Sequence, residues 1–274
     1  TTAASLDSIT PTDTVNYSYN DTQWKDLLTS YDGDTITYDE IGNPLSDGRW
    51  TYTWQHGRQL ASMSDGTTTW TYTYDANGLR TKRTDGTHTY TYVYNGSLLT
   101  RMTVGSDTFY FTYDASGTPL TVSIGTMTYY YVTNLQGDVI GILNSSGEQL
   151  VTYAYDAWGN VSVLYYIDQI VDYNPLLYRG YVYDYETGLY YLQSRYYNPR
   201  WGRFINADGL VSTGQGLLGN NMFAYCLNNP TTFIDSSGYN TEAIDWWTAT
   251  MGWLPLIDSV LPIGDILYFA GALC

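Results

Sequence analysis

The chain has 274 residues and a formal net charge of −16, from 11 Lys and Arg against 27 Asp and Glu. So few, scattered bases cannot neutralise a phosphate backbone, which argues against a nucleic-acid partner, and the shortage of Ala, Leu, Glu and Lys argues against helix bundles. With 31 Tyr and 38 Thr the chain is too aromatic and β-branched for disorder, and Tyr, Thr, Val and Trp fit a pleated, half-buried surface, so it is expected to be all-β.

The chain opens Thr1-Thr2-Ala3, with no basic leader region, and reads as a fragment of something longer. From residue 17 a repeat begins: aromatic-x-aromatic, then Asp or Asn, then a Gly a few residues on. Its second aromatics are Tyr19, Tyr38, Trp54, Tyr74, Tyr94, Tyr113, Tyr155 and Tyr183, mostly about 20 residues apart. A degenerate copy, Tyr129-x-Tyr131 with Gly137, fills the one long gap.

One unit shows the physics. Thr69-Trp70-Thr71-Tyr72-Thr73-Tyr74 alternates Thr with aromatics, as a strand with two different faces does. Asp75-Ala76-Asn77-Gly78 is a turn, because Asp bonds the backbone two residues on and Gly supplies a positive φ. Leu79 to Arg83 resumes as a strand, and Asp85-Gly86 turns again. Each period is a β-hairpin, and a lone hairpin is marginal, so the hairpins must stack. The only histidines, His56 and His88, fall in these hairpins and read as exposed turn or strand residues. No His, Cys, Asp and Glu cluster has metal-ligand spacing, so neither a metal nor another cofactor is expected. Cys226 and Cys274 read as a buried and a terminal thiol.

Over residues 15 to 190 the repeat resembles the YD repeat of the RHS family, which also occurs in the C components of Tc toxins and in teneurins. The resemblance implies hairpins spiralling into a shell or barrel-like sheet. After the repeats, Tyr178-Arg179-Gly180-Tyr181 to Asn198-Pro199 resembles the RHS-associated core that ends such a shell. The bases here, Arg179, Arg195, Arg200 and Arg203, read first as structural cations that stack on Tyr faces and pair with Asp184 or Glu186.

Next, Asn220 to Pro230 resembles the family's Asn-x-Tyr-x-Tyr-x-x-Asn-Asn-Pro element. Pro230 to Tyr239 resembles its self-cleavage motif Pro-x-x-x-x-Asp-Pro-x-Gly-Leu, with Ser236 in place of the second Pro and Tyr239 in place of Leu. Asp208 matches an upstream Asp-Pro-x-Gly, with Gly209 where the Pro would stand. The resemblance implies that Asp208 and Asp235 form a catalytic pair and that the cut falls beside Gly238, at Tyr239-Asn240; Arg203, close by in sequence, is read as the alternative to a structural cation, setting the charge state of the nearby catalytic Asp. Two adjacent carboxyls cannot both ionise cheaply, so one can activate water while the other protonates the leaving amide. Without the resemblance, Asp-Gly and Asp-Ser are ordinary turn steps. The missing prolines loosen the turns that aim the pair.

The tail, residues 240 to 274, carries four acids and no base. Glu242 to Trp253 reads as a helix with Ile244, Trp247 and Met251 on one face. Pro255, Asp258, Pro262 and Asp265 interrupt every run long enough to cross a membrane.

The expected organisation is a YD-repeat region over 1–160, an RHS core over 161–239 and an apolar, partly helical tail over 240–274. The expected function is the closing part of a secreted or cell-surface polymorphic-toxin shell. Its partners would be its own C-terminal toxin segment and other shell or delivery components. Two rivals stand beside this. One is a non-catalytic adhesion scaffold that binds carbohydrate or protein, and the other is a glycosidase built on two carboxylates among aromatics.

Overall fold

In the strand Thr69–Tyr74 the threonines are exposed while Trp70 and Tyr72 are buried, as the alternation predicts. The computed structural model describes residues 14–209, 221–239 and 241–244, and across them this unit recurs. Fourteen antiparallel strands, from Thr37–Tyr38 to Val161–Tyr166, form one sheet in which every strand pairs with its neighbours in sequence. A three-stranded sheet precedes it, made of Tyr17–Ser18, Ser30–Tyr31 and Asp34–Thr35. The protein is therefore all-β and built of stacked hairpins. The large sheet is open, with Thr37–Tyr38 and Val161–Tyr166 as its two ends.

The Tyr-Asp step explains the stacking. The Asp75 carboxylate accepts the N–H groups of Asn77 and Leu79, both at 2.9 Å, while Gly78 takes φ +84°. Asp114 and Asp156 hold their turns the same way. In three of the hairpins the preceding tyrosine also ties the hairpin to the one before it. Tyr74 donates its hydroxyl to the Leu60 carbonyl at 3.0 Å, Tyr113 to Leu99 at 2.7 Å and Tyr155 to Val139 at 2.6 Å. Phe at these positions would bury the same ring and leave that carbonyl without its partner. Pairing also slips by one residue just before the turn, between Thr73 and Tyr74, Val93 and Tyr94, and Thr112 and Tyr113. A bulge at the same position of each hairpin adds twist in one sense and bends the sheet cumulatively.

Inside lies a four-stranded sheet of Val182–Asp184, Leu189–Leu192, Arg195–Asn198 and Arg203–Phe204. All four residues of Leu189–Leu192 are buried, so this sheet is covered on both faces. Tyr191 accepts the Arg80 N–H at 2.7 Å, and the Tyr196 and Tyr74 hydroxyls lie 3.0 Å apart, so the core block is bonded directly to the hairpins. The carboxylate Asp184 receives Arg80 in a two-pronged pair and Arg83 at 3.4 Å, and Arg83 also bonds Glu186. This corrects one expectation. The acids at 184 and 186 are held by arginines of the repeat, and Arg179 pairs instead with Asp138.

A second correction concerns the tail. Glu242–Ala243 is a strand paired with Phe233–Ile234, so no helix begins at Glu242. Backbone pairing with a segment nine residues away overrides a local periodicity. The rest of that expected helix and the tail from residue 245 lie outside the described residues. At the other boundary, Val161–Tyr166 has a pairing strand on one side only among the described residues, with Val163, Leu164, Tyr165 and Tyr166 all exposed.

Candidate active site

Three segments meet at Arg195. It opens the strand Arg195–Asn198 after a tight hairpin in which Gln193 takes φ +62°. Asp208 lies four residues beyond the strand Arg203–Phe204, and its N–H donates to the Met222 carbonyl at 2.8 Å. Asp235 directly follows the strand Phe233–Ile234, and its N–H donates to the Tyr181 hydroxyl at 3.1 Å. Both carboxylates are buried, at 4% and 1% exposure.

One guanidinium binds both acids. Nη2 of Arg195 lies 3.0 Å from Oδ2 of Asp208 and 3.6 Å from Oδ2 of Asp235. Its Nη1 donates to the Met222 carbonyl at 3.1 Å, and its Nε donates to the Gly238 carbonyl. The plane of charge rests 3.6 Å over the Phe204 ring. The other oxygen of Asp235 accepts the N–H groups of Gly238 at 2.8 Å and Ser237 at 3.3 Å, closing a tight turn. Ser194 donates from its Oγ to the Ser237 carbonyl at 2.8 Å and clamps the same turn from the other side.

The electrostatics separate the members. Burial pushes the Asp235 carboxyl up to about 6, with the negative charge of Asp208 adding to the rise. Arg195 and the two turn N–H groups pull in the opposite direction without cancelling it. Burial also pulls the Arg195 guanidinium down, against the two acids that hold its charge. Below about pH 6 the cluster therefore offers a carboxyl that holds its proton, beside a second buried acid, Asp208.

The structure thus brings Asp208, Asp235 and Gly238 together around Arg195. Gly238 sits at φ +73°, and a Cβ there would lie 2.5 Å from Ser194 Oγ and 2.6 Å from the Leu192 carbonyl oxygen, so only Gly fits. Tyr239 follows with 47% exposure, and Asn240 lies outside the described residues. Arg203 is not in this cluster. Its guanidinium bonds the Tyr19 hydroxyl at 3.1 Å and the Asp26 carbonyl at 2.7 Å, because strand alternation turns it away from the face that Phe204 shares with Arg195. Proximity to Asp208 in sequence pointed to Arg203, whereas the cation between the acids comes from the neighbouring strand.

Other chemistry is sparse. His56 and His88 are exposed turn residues bonded to Gln59 and Asp85. Cys226 is fully buried and burial pushes its thiol up to about 12. Among the described residues no group of three His, Cys, Asp or Glu is placed to hold a metal ion.

Comparison with known proteins places this arrangement. The teneurin YD-shell family model matches residues 106–230. The chain is 39% identical over 233 residues to the tRNA3(Ser)-specific nuclease WapA of Bacillus spizizenii, covering 82% of this chain and 10% of that protein. It is 37% identical over 233 residues to the tRNA nuclease WapA of Bacillus subtilis, with the same coverage. A 64-residue stretch is 42% identical to the toxin protein Tse5 of Pseudomonas aeruginosa, covering 23% of this chain and 5% of Tse5. The chain therefore spans about a tenth of the length of its WapA relatives. Among solved structures, the crystal structure of TcdB2–TccC3 superimposes with a TM-score of 0.60 at 21% identity, over 73% of this chain and 11% of that one. The crystal structure of TcdB2–TccC3–Cdc42 gives 0.60 at 19%, over 82% and 13%. The stacked hairpins and the block they enclose are those of a YD shell. The chain belongs to the RHS/YD-repeat family, and toxins stand among its relatives.

Proposed function

We propose that this chain is the closing part of a toxin shell, and that it cuts itself once at Tyr239-Asn240 to free the polypeptide enclosed beyond that point. The observation that carries this reading is the buried Asp208–Arg195–Asp235 cluster, which also grips the Gly238 carbonyl next to the bond in question. A pair of exposed, separated carboxylates would have favoured a non-catalytic scaffold, and both acids are buried.

The chemistry is hydrolysis. The Asp208 side chain takes a proton from water as the water oxygen attacks the Tyr239 carbonyl carbon. Asp235, protonated, gives its proton to the Asn240 nitrogen as the C–N bond breaks. The products are a carboxyl at Tyr239 and an amine at Asn240. Arg195 and the Asp235–Gly238 turn hold the preceding carbonyl still, and this orientation is the fold's main contribution. The step needs Asp235 protonated, so the rate should fall about tenfold per pH unit above pH 6.

The shell itself would be completed by residues outside this chain. The free apolar edge at Val161–Tyr166 suits another strand, either more hairpins or a separate shell or delivery component. Secretion or surface display follows from the same reading. The test is a denaturing gel of the wild type against Asp235→Asn. Two fragments from the wild type and one band from the variant support self-cleavage, while identical patterns sink it.

A further inference from the structure

Asp208 is held from two sides. Its own N–H reaches the Met222 carbonyl, while Ala207 just before it is held by the hairpin region. The Ala207 N–H donates to the Gly42 carbonyl at 3.1 Å, and Arg58 donates from Nη1 to the Ala207 carbonyl at 2.8 Å, across 149 positions of chain. The same Nη1 donates to the Ile41 carbonyl at 2.8 Å. Asn43 donates to the Gly57 carbonyl at 2.7 Å, so the turns at 39–43 and 55–59 are locked to each other and to the residue beside Asp208. The approach is close. Gly42 takes φ +83°, and a Cβ there would stand 2.9 Å from the Ala207 Cβ.

The repeat itself does not call for an arginine here. The residue after the turn glycine is Leu79, Ser97 and Thr118 in three other hairpins, none of them charged. Arg58 also borders a cavity of about 260 Å³ that Ser194 and Tyr239 line, so it reaches the space beside the proposed cut. Burial lowers its guanidinium from the usual range, and the charges of Asp39 and Asp208 oppose that fall. On the other side of Asp208 stands Gly209, the residue type that restrains a backbone least. The place of the Asp208 carboxyl therefore leans on the hold at Ala207, together with Met222 and Arg195.

We infer that Arg58 is a positioning residue for Asp208, and that self-cleavage waits until the turns at 39–43 and 55–59 have docked on the core block. This inference rests on the cleavage reading above. Misplacing a reacting group by about 1 Å can cost about a hundredfold in rate, so a loosely held Asp208 cuts slowly. A chain whose hairpins have not closed then keeps the segment beyond Tyr239 attached. Arg58 acts through Ala207 and takes no proton itself.

The test follows pulse-labelled full-length chains on a denaturing gel as they cut, for wild type, Arg58→Met, Arg58→Lys and the control Lys82→Gln. Met keeps the half-buried stem of Arg58 and removes its donors and charge, whereas Lys keeps a charge and a donor. Lys82 is an exposed base of the repeat, in the strand Arg80–Thr84. Arg58→Met should cut at least about tenfold more slowly than wild type, with Arg58→Lys within about threefold of it and Lys82→Gln unchanged. Circular dichroism spectra should be the same for all four. Equal rates in wild type and Arg58→Met would overturn the inference and leave the cleavage reading intact. So would an equally slow Arg58→Lys, or an Arg58→Met that loses its fold, since either makes the role merely structural. No cut in the wild type would sink the cleavage reading itself, and this inference with it.

Discussion

Asp235 makes the stability of this protein depend on pH in a way that can be calculated. Its carboxyl ionises at about 6 in the folded chain, against 3.8 for an unperturbed group. A shift of roughly two units corresponds to about 3 kcal/mol between protonation states. The folded state binds this proton more tightly than the unfolded state. The stabilisation is therefore fully present below about pH 4 and is lost as pH rises through 6. Asn at 235 still accepts the Gly238 and Ser237 N–H groups, and it has nothing to ionise. Urea unfolding of the wild type and of Asp235→Asn should be followed by tryptophan fluorescence from pH 4 to 8. The wild type should lose about 2.5 kcal/mol relative to the variant across that range, since titrations common to both proteins cancel. Parallel stability profiles would refute the reasoning, because they would mean that burial does not perturb this carboxyl.

Three further outcomes follow from the packing. Asp184→Asn leaves Arg80 buried without its anion and Arg83 with Glu186 alone, and should cost about 3–5 kcal/mol in urea unfolding, much of it recovered when Arg80→Leu is added. Gly238→Ala forces a Cβ against the Leu192 carbonyl at a left-handed residue. It should cost about 1–2 kcal/mol, pull the Gly238 carbonyl off Arg195 and abolish cleavage while the hairpin region stays folded, as judged by circular dichroism and a gel. Tyr181→Phe removes the acceptor of the Asp235 N–H and should destabilise by about 1–3 kcal/mol. In a time course it should also slow cleavage while leaving the fall in rate above pH 6 in place.

The hairpins were legible because each states its own structure locally. The Thr and aromatic alternation sets the faces, and Asp with a Gly three residues on closes the turn. Less legible was what the hairpins enclose. Arg80 and Arg83 stand where the flanking hairpins place Leu60 and Met63, or Leu99 and Met102, all buried. Two inward arginines in an apolar column announce a buried acid, although nothing local says that it is Asp184, over a hundred residues on. The cation between Asp208 and Asp235 is hard to read for a related reason. Arg195 and Arg203 both sit among aromatics in paired strands, and only the sheet register shows which of them faces the Asp235–Gly238 turn. At Glu242 the helical periodicity was real but weaker than backbone pairing to Phe233–Ile234.

The measurement that bears most directly on the account is the intact mass of the purified chain. The account predicts two polypeptides, residues 1–239 and 240–274, collapsing to a single 30.9 kDa species in Asp235→Asn. A wild-type chain that stays at 30.9 kDa at pH 5, where Asp235 holds its proton, would contradict it.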